Sequence, residues 1–178
     1  PVAGEFSGVL ANPGEWIHLL GPSGRVLSLF HYGDSPPWPV QADGNGRSLT
    51  LVRSRESLDP ADSRHWRPSV TIGGTPGWDD GMPFVGDPDA DADADGLSAL
   101  EEYFLGTADG DANSGHQRIP SIVLNEEGRI RFTVQHPLEA DQAEASWETS
   151  TDLKAWESVS GWLEPETSVV GGVETYVW

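Results

Sequence analysis

The chain has 178 residues, no cysteine and a formal net charge of −19 at neutral pH. This length allows one domain or two small ones, and the lack of cysteine excludes disulfide frameworks and thiolate metal sites. The acidity argues against nucleic-acid binding, which needs basic patches, and against an anionic membrane surface. The sequence contains no run of eighteen apolar residues and no lipidation signal, so we expect no membrane insertion.

The acidic residues are concentrated in one stretch. Residues 79–111 contain eleven Asp or Glu and no Lys or Arg, which leaves eighteen acids and all ten bases elsewhere, a net charge of −8. Such a concentration favours a metal site and a solvated surface. Eight tryptophans and 21 glycines in the whole chain indicate a β protein rich in loops.

The segment 1–78 has the pattern of a β module without a helix of ordinary length. Apolar runs bounded by Gly, Pro and Asp predict three strands, at residues 15–20, 25–32 and 48–52. The first two flank the turn sequence Gly21-Pro-Ser-Gly24, so they should form a hairpin. We expect residues 33–39 and 59–68 to be loops.

The middle of the acidic stretch has the spacing of an EF-hand calcium loop. That loop places acids at positions 1, 3 and 5, glycine at 6, a backbone carbonyl at 7 and a bidentate Glu at 12. With Gly96 at position 6, the predicted ligands are Asp91, Asp93, Asp95, the Leu97 carbonyl and Glu102. Ala99 at position 9 offers no side-chain oxygen, so a water molecule is expected there. The spacing predicts Ca²⁺, and the alternative is an acidic low-complexity linker that happens to contain a glycine.

A short helix should follow the loop directly. Ser98 and Glu101 have the spacing of a capping box, and Gly106 is placed to end the helix. Between them, Leu100, Tyr103 and Phe104 lie on one helical face. Pro83 and Pro88 disfavour a helix before the loop, and Ser98 stands at position 8, where paired EF-hands carry an aliphatic residue. These features indicate a solitary calcium loop.

This stretch, residues 87–106, resembles the thrombospondin-type-3-like and dockerin-like calcium repeats of secreted bacterial proteins. The resemblance is carried by Asp91-Ala-Asp93-Ala-Asp95-Gly96-Leu97, Glu101-Glu102-Tyr103 and Leu105-Gly106-Thr107. Such repeats often continue into a second acidic loop, whose remnant is seen in Asp109-Gly-Asp111-Ala-Asn113. Ser114 and Pro120 occupy its glycine and glutamate positions. We therefore expect from the remnant either an extra oxygen for the first ion or a plain linker.

The N-terminal segment resembles the second half of a bacterial lamin-tail-like domain, an immunoglobulin-like β-sandwich. The resemblance is carried by Gly14-Glu15, Leu19-Leu20, Gly24, Phe30-x-Tyr32-Gly-Asp34, Pro37-Trp38-Pro39, Ala42-Asp43-Gly-x-Gly46-x-Ser48-Leu49-x-Leu51, Trp66-Arg67-x-Ser69 and Gly74-x-Pro76-Gly77. The opening strands of that family would precede residue 1, which implies an open edge or an incomplete core. The resemblance implies a binding or spacer module, and it carries over no catalytic residues.

The C-terminal segment, residues 117–178, is a second predicted β module. Its pattern predicts strands at residues 119–124, 129–134, 145–150, 157–159 and 173–178, with the first two joined as a hairpin by Asn125-Glu-Glu-Gly128. The sequence Ser150-Thr-Asp-Leu-x-x-Trp156 is similar to small β-sandwich modules at the C-terminal ends of secreted proteins from environmental bacteria. Because the chain begins without Met and ends within a predicted strand, we expect it to be a fragment of a longer protein.

Sequence motifs give no support for catalysis. The histidines are His18, His31, His65, His116 and His136. No two have the i, i+4 spacing of a zinc protease, and no Gly-x-Ser-x-Gly, phosphate loop or dinucleotide fingerprint occurs. His18 and His31 could face each other across the first hairpin, or be ordinary half-exposed strand residues.

The tryptophans leave two interpretations open. Trp38, in a loop framed by prolines, is the best candidate for an exposed indole on which a sugar stacks, and otherwise it closes the end of the sandwich. Trp66, Trp147 and Trp156 are expected in the core.

The sequence therefore predicts a mainly β protein in which immunoglobulin-like β-sandwich pieces are joined by a solitary calcium loop-helix. The expected domains are 1–78, the acidic segment 79–116 and 117–178. We expect a non-enzymatic structural or adhesion module of a secreted or cell-surface bacterial multidomain protein, with calcium stiffening the joint between modules. The alternative is a carbohydrate- or surface-binding accessory module of a larger extracellular enzyme, with a polysaccharide or another surface protein as partner.

Overall fold

A computed structural model describes residues 7–53, 57–115, 118–128, 130–158, 166–170 and 172–178. This part of the chain is mainly β, with ten strands and one short α-helix, as the sequence predicts. The chain divides into two compact units, Pro1–Met82 and Pro83–Trp178. The acidic segment from residue 83 onward is therefore grouped with the C-terminal strands, and Asp79 and Asp80 belong to the first unit. His116, Arg129 and Val159 lie outside the described residues.

The first unit contains two antiparallel strand pairs. Its strands are β1 (Trp16–Leu20), β2 (Val26–His31), β3 (Leu49–Leu51) and β4 (Trp66–Pro68). Strands β1 and β2 form the expected hairpin, and β3 pairs with β4. The prediction that residues 59–68 form only a loop was wrong at β4. A proline ends this short strand, and its pairing partner lies far away in the sequence, so local signals do not reveal it.

Three aromatic rings form a cluster in the first unit. The ring of Trp66 lies 5.5 Å from that of Phe30 and 6.0 Å from that of Trp38, measured between centroids. The Trp66 indole N–H donates to the carbonyl of Pro60 at 3.0 Å. Trp38 is half-buried and packs against the ring of Trp66, which favours its role as a packing residue over that of a sugar platform.

A buried ion pair fixes the end of the first unit. The side chains of Arg67 and Asp80 are only 7% and 3% exposed, and they are joined by a 2.9 Å bond from Arg67 Nη1 to Asp80 Oδ2. The Asp80 carboxylate also accepts hydrogen bonds from the amide of Val70 at 2.7 Å and the hydroxyl of Thr75 at 3.1 Å. Every donor around it favours the charged form of this carboxylate.

The Asp80 carboxylate should make the first unit sensitive to acid. Burial alone would raise its pKa, but Val70, Arg67 and Thr75 together hold the pKa below the ordinary value of 3.8. A lowered folded-state pKa gives stability that is present above the unfolded-state pKa and lost as the pH falls through the folded-state value. Urea unfolding between about pH 5 and pH 2 should show this loss, and Asp80→Asn should flatten the pH dependence. Equal pH slopes for the two proteins would contradict the assignment.

The second unit is built on a four-stranded antiparallel sheet. Its strands are β5 (Ser121–Leu124), β6 (Ile130–Pro137), β9 (Glu166–Val170) and β10 (Val173–Val177), in the order β5-β6-β10-β9. A separate pair consists of β7 (Glu148–Thr149) and β8 (Glu157–Ser158). The β5–β6 hairpin confirms the prediction, whereas β9 was missed by the sequence pattern.

The expected position of Trp156 in the core was wrong. Its side chain is 54% exposed, because the adjoining β7–β8 ladder is only two residues long and offers little surface for packing. Trp147, by contrast, packs edge-on against Phe132, with centroids 4.7 Å apart, and lies near Trp178. Trp147 is half-buried because it contacts the four-stranded sheet through Phe132, whereas Trp156 is exposed.

Helix α1 (Ala99–Leu105) packs against β6 in the second unit. Tyr103 and Leu105 are buried with Val134 and Leu138, and the Phe104 ring stacks on His136 at 5.1 Å and 8°. The predicted apolar face is thus confirmed at Tyr103, and Leu105 is an additional buried residue of the helix. Among the described residues, no helix is long and apolar enough to cross a membrane.

Gly106 ends α1 in the left-handed conformation, with φ of +70°, as the sequence predicts. A β-carbon at this residue would collide with the ring of Pro137 at the end of β6. Gly106→Ala should therefore lower the free energy of unfolding of the second unit by about 2 kcal/mol. Gly110→Ala is the matched control because a β-carbon there would meet no atom within 4 Å. Similar denaturation midpoints for both variants would contradict this prediction.

Candidate metal centre

Backbone hydrogen bonds fold the acidic loop around its aspartates. The amide of Asp95 donates to Asp93 Oδ1 at 3.1 Å, and the amide of Gly96 donates to Asp91 Oδ2 at 3.2 Å. The amide of Leu97 donates to Asp95 Oδ1 at 2.9 Å. Gly96 has φ of +96°, a conformation that side chains disfavour. The loop therefore needs glycine at this position, and the turn draws alternate side chains together.

Asp91, Asp93 and Asp95 converge as the spacing predicts. Each offers one carboxylate oxygen, and these three oxygens lie within 4.8 Å of one another. Among the described residues, this trio is the only such group of Asp, Glu, His or Cys. Exposed acidic groups are common without an ion, whereas a buried carboxylate oxygen that accepts no hydrogen bond indicates a ligand.

Glu102 carries such a buried carboxylate oxygen. Its side chain is 1% exposed, although a carboxylate is among the groups most costly to bury without a partner. Oε1 accepts hydrogen bonds from the hydroxyls of Thr107 at 3.0 Å and Ser114 at 3.4 Å. Oε2 is buried and accepts none, and Asp93 Oδ2 is in the same state. These two buried oxygens are suited to a cation.

The charges around Glu102 also favour a bound cation. Burial raises the pKa of its carboxyl group above the ordinary value, and the charges of Asp93, Asp95 and Asp109 raise it further. The hydroxyl of Thr107 only partly opposes this shift. Without a positive charge nearby, the negative form of Glu102 is unfavourable, and a bound cation would favour it.

The helix cap sets the direction of Glu102. Ser98 and Glu101 form a reciprocal capping box, in which Glu101 Oε2 accepts from the Ser98 amide at 2.7 Å. Glu101 therefore stays exposed at the helix start, and its neighbour Glu102 turns to the buried side. Both features of the cap were predicted from the sequence and are confirmed.

The donor set fits calcium. Its side-chain donors are all carboxylate oxygens, and the predicted Leu97 donor is a backbone carbonyl oxygen. A hard cation that takes six to eight ligands prefers such oxygens. Leu97 follows the trio with its side chain beside Gly115. The sequence left two roles open for the segment after the helix, an extra oxygen for the first ion or a plain linker. The amide of Ala92 donates to Asp109 Oδ1 at 3.2 Å, a contact that no spacing rule reveals.

Within the described part of the chain, the histidines do not form a second site of this kind. His18 and His31 are not cross-strand partners, because His18 pairs with Leu29 and His31 pairs with Trp16. His65 Nδ1 lies 2.8 Å from the carbonyl of Asp59. His136 lies between the rings of Phe104 and Tyr176, and its Nε2 is 3.7 Å from Glu174 Oε2.

The first unit contains a separate cavity of about 460 Å³. Its walls include the aromatic rings of Phe30, Tyr32 and Trp66, and two carboxylates, Asp34 and Asp43, also line it.

Comparison of the chain with protein-family models, curated proteins and solved structures found no match.

Proposed function

We propose that this chain is a non-enzymatic, calcium-binding structural or adhesion module of a secreted or cell-surface bacterial multidomain protein. The observation that supports this most is the buried Oε2 of Glu102, which accepts no hydrogen bond and belongs to a carboxylate influenced by the charges of Asp93 and Asp95. Asp91, Asp93, Asp95 and Glu102 would hold the ion, together with the Leu97 carbonyl.

Calcium suits this set better than the other common metals. Zinc and the later transition metals favour nitrogen or sulfur ligands, and the described cluster contains only carboxylates. Magnesium keeps several waters and usually takes one or two carboxylates. Three converging loop carboxylates and the buried Glu102 of α1 are better matched to a larger ion of flexible geometry.

The proposed role of the ion is to order the start of the second unit. Neutralising the acids removes a repulsion that opposes the folded loop. The ordered loop fixes the first turn of α1, and α1 buries Tyr103 and Leu105 beside the sheet. The stiffening of an inter-module joint expected from the sequence thus becomes the ordering of a segment that follows the unit boundary at residue 82.

The resemblance to calcium repeats of secreted bacterial proteins supports an extracellular setting. Calcium outside cells is near millimolar, so even a weak site with a Kd on the order of 10⁻⁴ to 10⁻³ M would be filled. We also propose that the β units are pieces of immunoglobulin-like sandwiches. The antiparallel pairing of all described strands is compatible with that architecture.

Limited proteolysis tests the ordering role. Calcium should slow cleavage within residues 86–112, because the ion holds the loop and α1 in the folded state. The Asp93→Ala variant should lose this protection, while cleavage elsewhere should be unchanged. Equal cleavage rates in calcium and in chelator would rule out the proposed role.

The cavity in the first unit supports a second candidate function, binding of a carbohydrate. Aromatic walls can stack on the apolar faces of a sugar, and the carboxylates of Asp34 and Asp43 can accept hydrogen bonds from its hydroxyls. Trp38 does not line this cavity. The proposed sugar site is therefore the cavity and not the Trp38 indole expected from the sequence.

Fluorescence titration with soluble polysaccharides tests this candidate. A binding sugar should change the emission of Trp66, and Asp43→Asn should weaken the response, whereas Asp59→Asn should not. Asp59 is exposed and lies outside the cavity lining. A response that is equal in both variants, or absent from the unmutated chain, would exclude the cavity as a sugar site.

A further inference from the structure

The segment that follows α1, residues 107–115, folds back against the calcium loop. Its own fold is held by Ser114, whose hydroxyl oxygen accepts a hydrogen bond from the amide of Ala108 at 3.0 Å. A β-carbon at Gly115 would come within 2.8 Å of Asp95 Oδ2, so this backbone lies directly beside one of the proposed ligands. Residues 107–115 therefore form part of the wall of the site.

Two hydroxyls of this segment act on Glu102. Thr107 Oγ1 and Ser114 Oγ both lie within hydrogen-bond distance of Oε1, at 3.0 and 3.4 Å. Oε2 has no such partner and is buried. One oxygen of Glu102 is therefore occupied by protein donors and the other is available. A bidentate Glu at position 12 would give two oxygens, so an ion bound here would take one oxygen fewer from Glu102.

Asp109 is an acidic residue of this segment that contacts the loop. Its Oδ1 accepts a hydrogen bond from the amide of Ala92, the second residue of the loop, at 3.2 Å. Asp109 is half-buried, and its charge acts on Glu102 together with the charges of Asp93 and Asp95. The amide of Ala92 holds one carboxylate oxygen, so the carboxylate is anchored beside the loop.

We propose that residues 107–115 complete the calcium site, with Asp109 as a fifth carboxylate ligand and Thr107 and Ser114 as positioning residues that make Glu102 a one-oxygen ligand. This inference rests on the proposed function. The site is then built from two loops on either side of α1, and both loops order together when the ion binds. The remnant of a second acidic loop serves the first ion and does not hold another.

Calcium affinities of matched variants test the inference. Asp109→Asn should raise the calcium Kd about tenfold, because the charge count of the ligands sets the affinity of such sites. Asp111→Asn removes the same charge from an exposed residue of the same segment and should change the Kd less than about twofold. Thr107→Val should weaken binding about tenfold, and Thr107→Ser, which keeps the hydroxyl, should restore it.

Carboxyl-carbon NMR of the unmutated chain provides a readout that does not depend on any variant folding. On addition of calcium, the Asp109 carboxyl signal should shift together with those of Asp91, Asp93 and Asp95, and the Asp111 signal should stay in place. If the unmutated chain binds no calcium, the proposed function itself fails. If it binds calcium while the Asp109 signal stays in place, or Asp109→Asn and Asp111→Asn have equal Kd values, only this inference is overturned.

Discussion

Calcium is expected to stabilise the unmutated chain against heat and to have no such effect on Glu102→Gln. Saturation at tenfold above the Kd adds about 1.4 kcal/mol to the free energy of unfolding. For a unit of this size, that gain should raise the Tm by roughly 5 to 10 °C. The Gln variant removes the negative charge of the buried Oε2, which accepts no hydrogen bond. The protein therefore loses a calcium ligand and most of its calcium affinity.

The matched control is Glu101→Gln. Glu101 is the adjacent residue, is exposed, and accepts the capping hydrogen bond from the Ser98 amide, a role that Gln also fills. This variant should keep the full calcium effect. In chelator, Glu102→Gln should be at least as stable as the unmutated chain, because it removes a buried negative charge near Asp93 and Asp95. If calcium still raised the Tm of Glu102→Gln, Glu102 would not be a ligand of the ion.

Asp80→Ala is expected to cause the largest loss of stability in the first unit. The variant leaves the Arg67 guanidinium, 7% exposed, without its buried carboxylate partner. It also removes the acceptor for the amide of Val70 and the hydroxyl of Thr75. Breaking a buried pair in this way costs about 3 to 5 kcal/mol.

Urea unfolding followed by tryptophan fluorescence measures this loss. Asp79→Ala is the control, since it removes an acid from the adjacent, exposed residue. The calcium response should be unchanged in Asp80→Ala, because its contacts with Arg67, Val70 and Thr75 lie within the first unit. If the urea midpoints of Asp80→Ala and Asp79→Ala were equal, the Arg67–Asp80 ion pair would not stabilise the first unit.

The acidic loop and α1 could be predicted from the sequence because their determinants are local. The capping box of Ser98 and Glu101 and the left-handed Gly106 depend on residues that are at most a few positions apart. The convergence of Asp91, Asp93 and Asp95 follows from the same short-range spacing. The side chains of Ser and Asp bond backbone amides only a few residues away, and these local bonds compete with regular helix and sheet hydrogen bonds.

The missed features depend on pairing between distant residues. Strand β4 exists because Leu51 pairs with Trp66, and β9 exists because it pairs with β10. The contact of Asp109 with Ala92 spans seventeen residues. Long-range pairing is set by the tertiary fold, which overrides local propensity. The same reason explains Trp156, whose apolar character predicts burial only where a surface exists to receive it.

Amide NMR during a calcium titration tests the calcium site most directly. The account predicts saturable shifts for Gly96, whose amide donates to Asp91, and for Leu97, whose amide donates to Asp95. Shifts should extend through α1 and to Ala92, with an apparent Kd on the order of 10⁻³ M or tighter, while the β1–β2 hairpin stays unchanged. An unchanged Gly96 amide at millimolar calcium would show that this loop does not bind the ion.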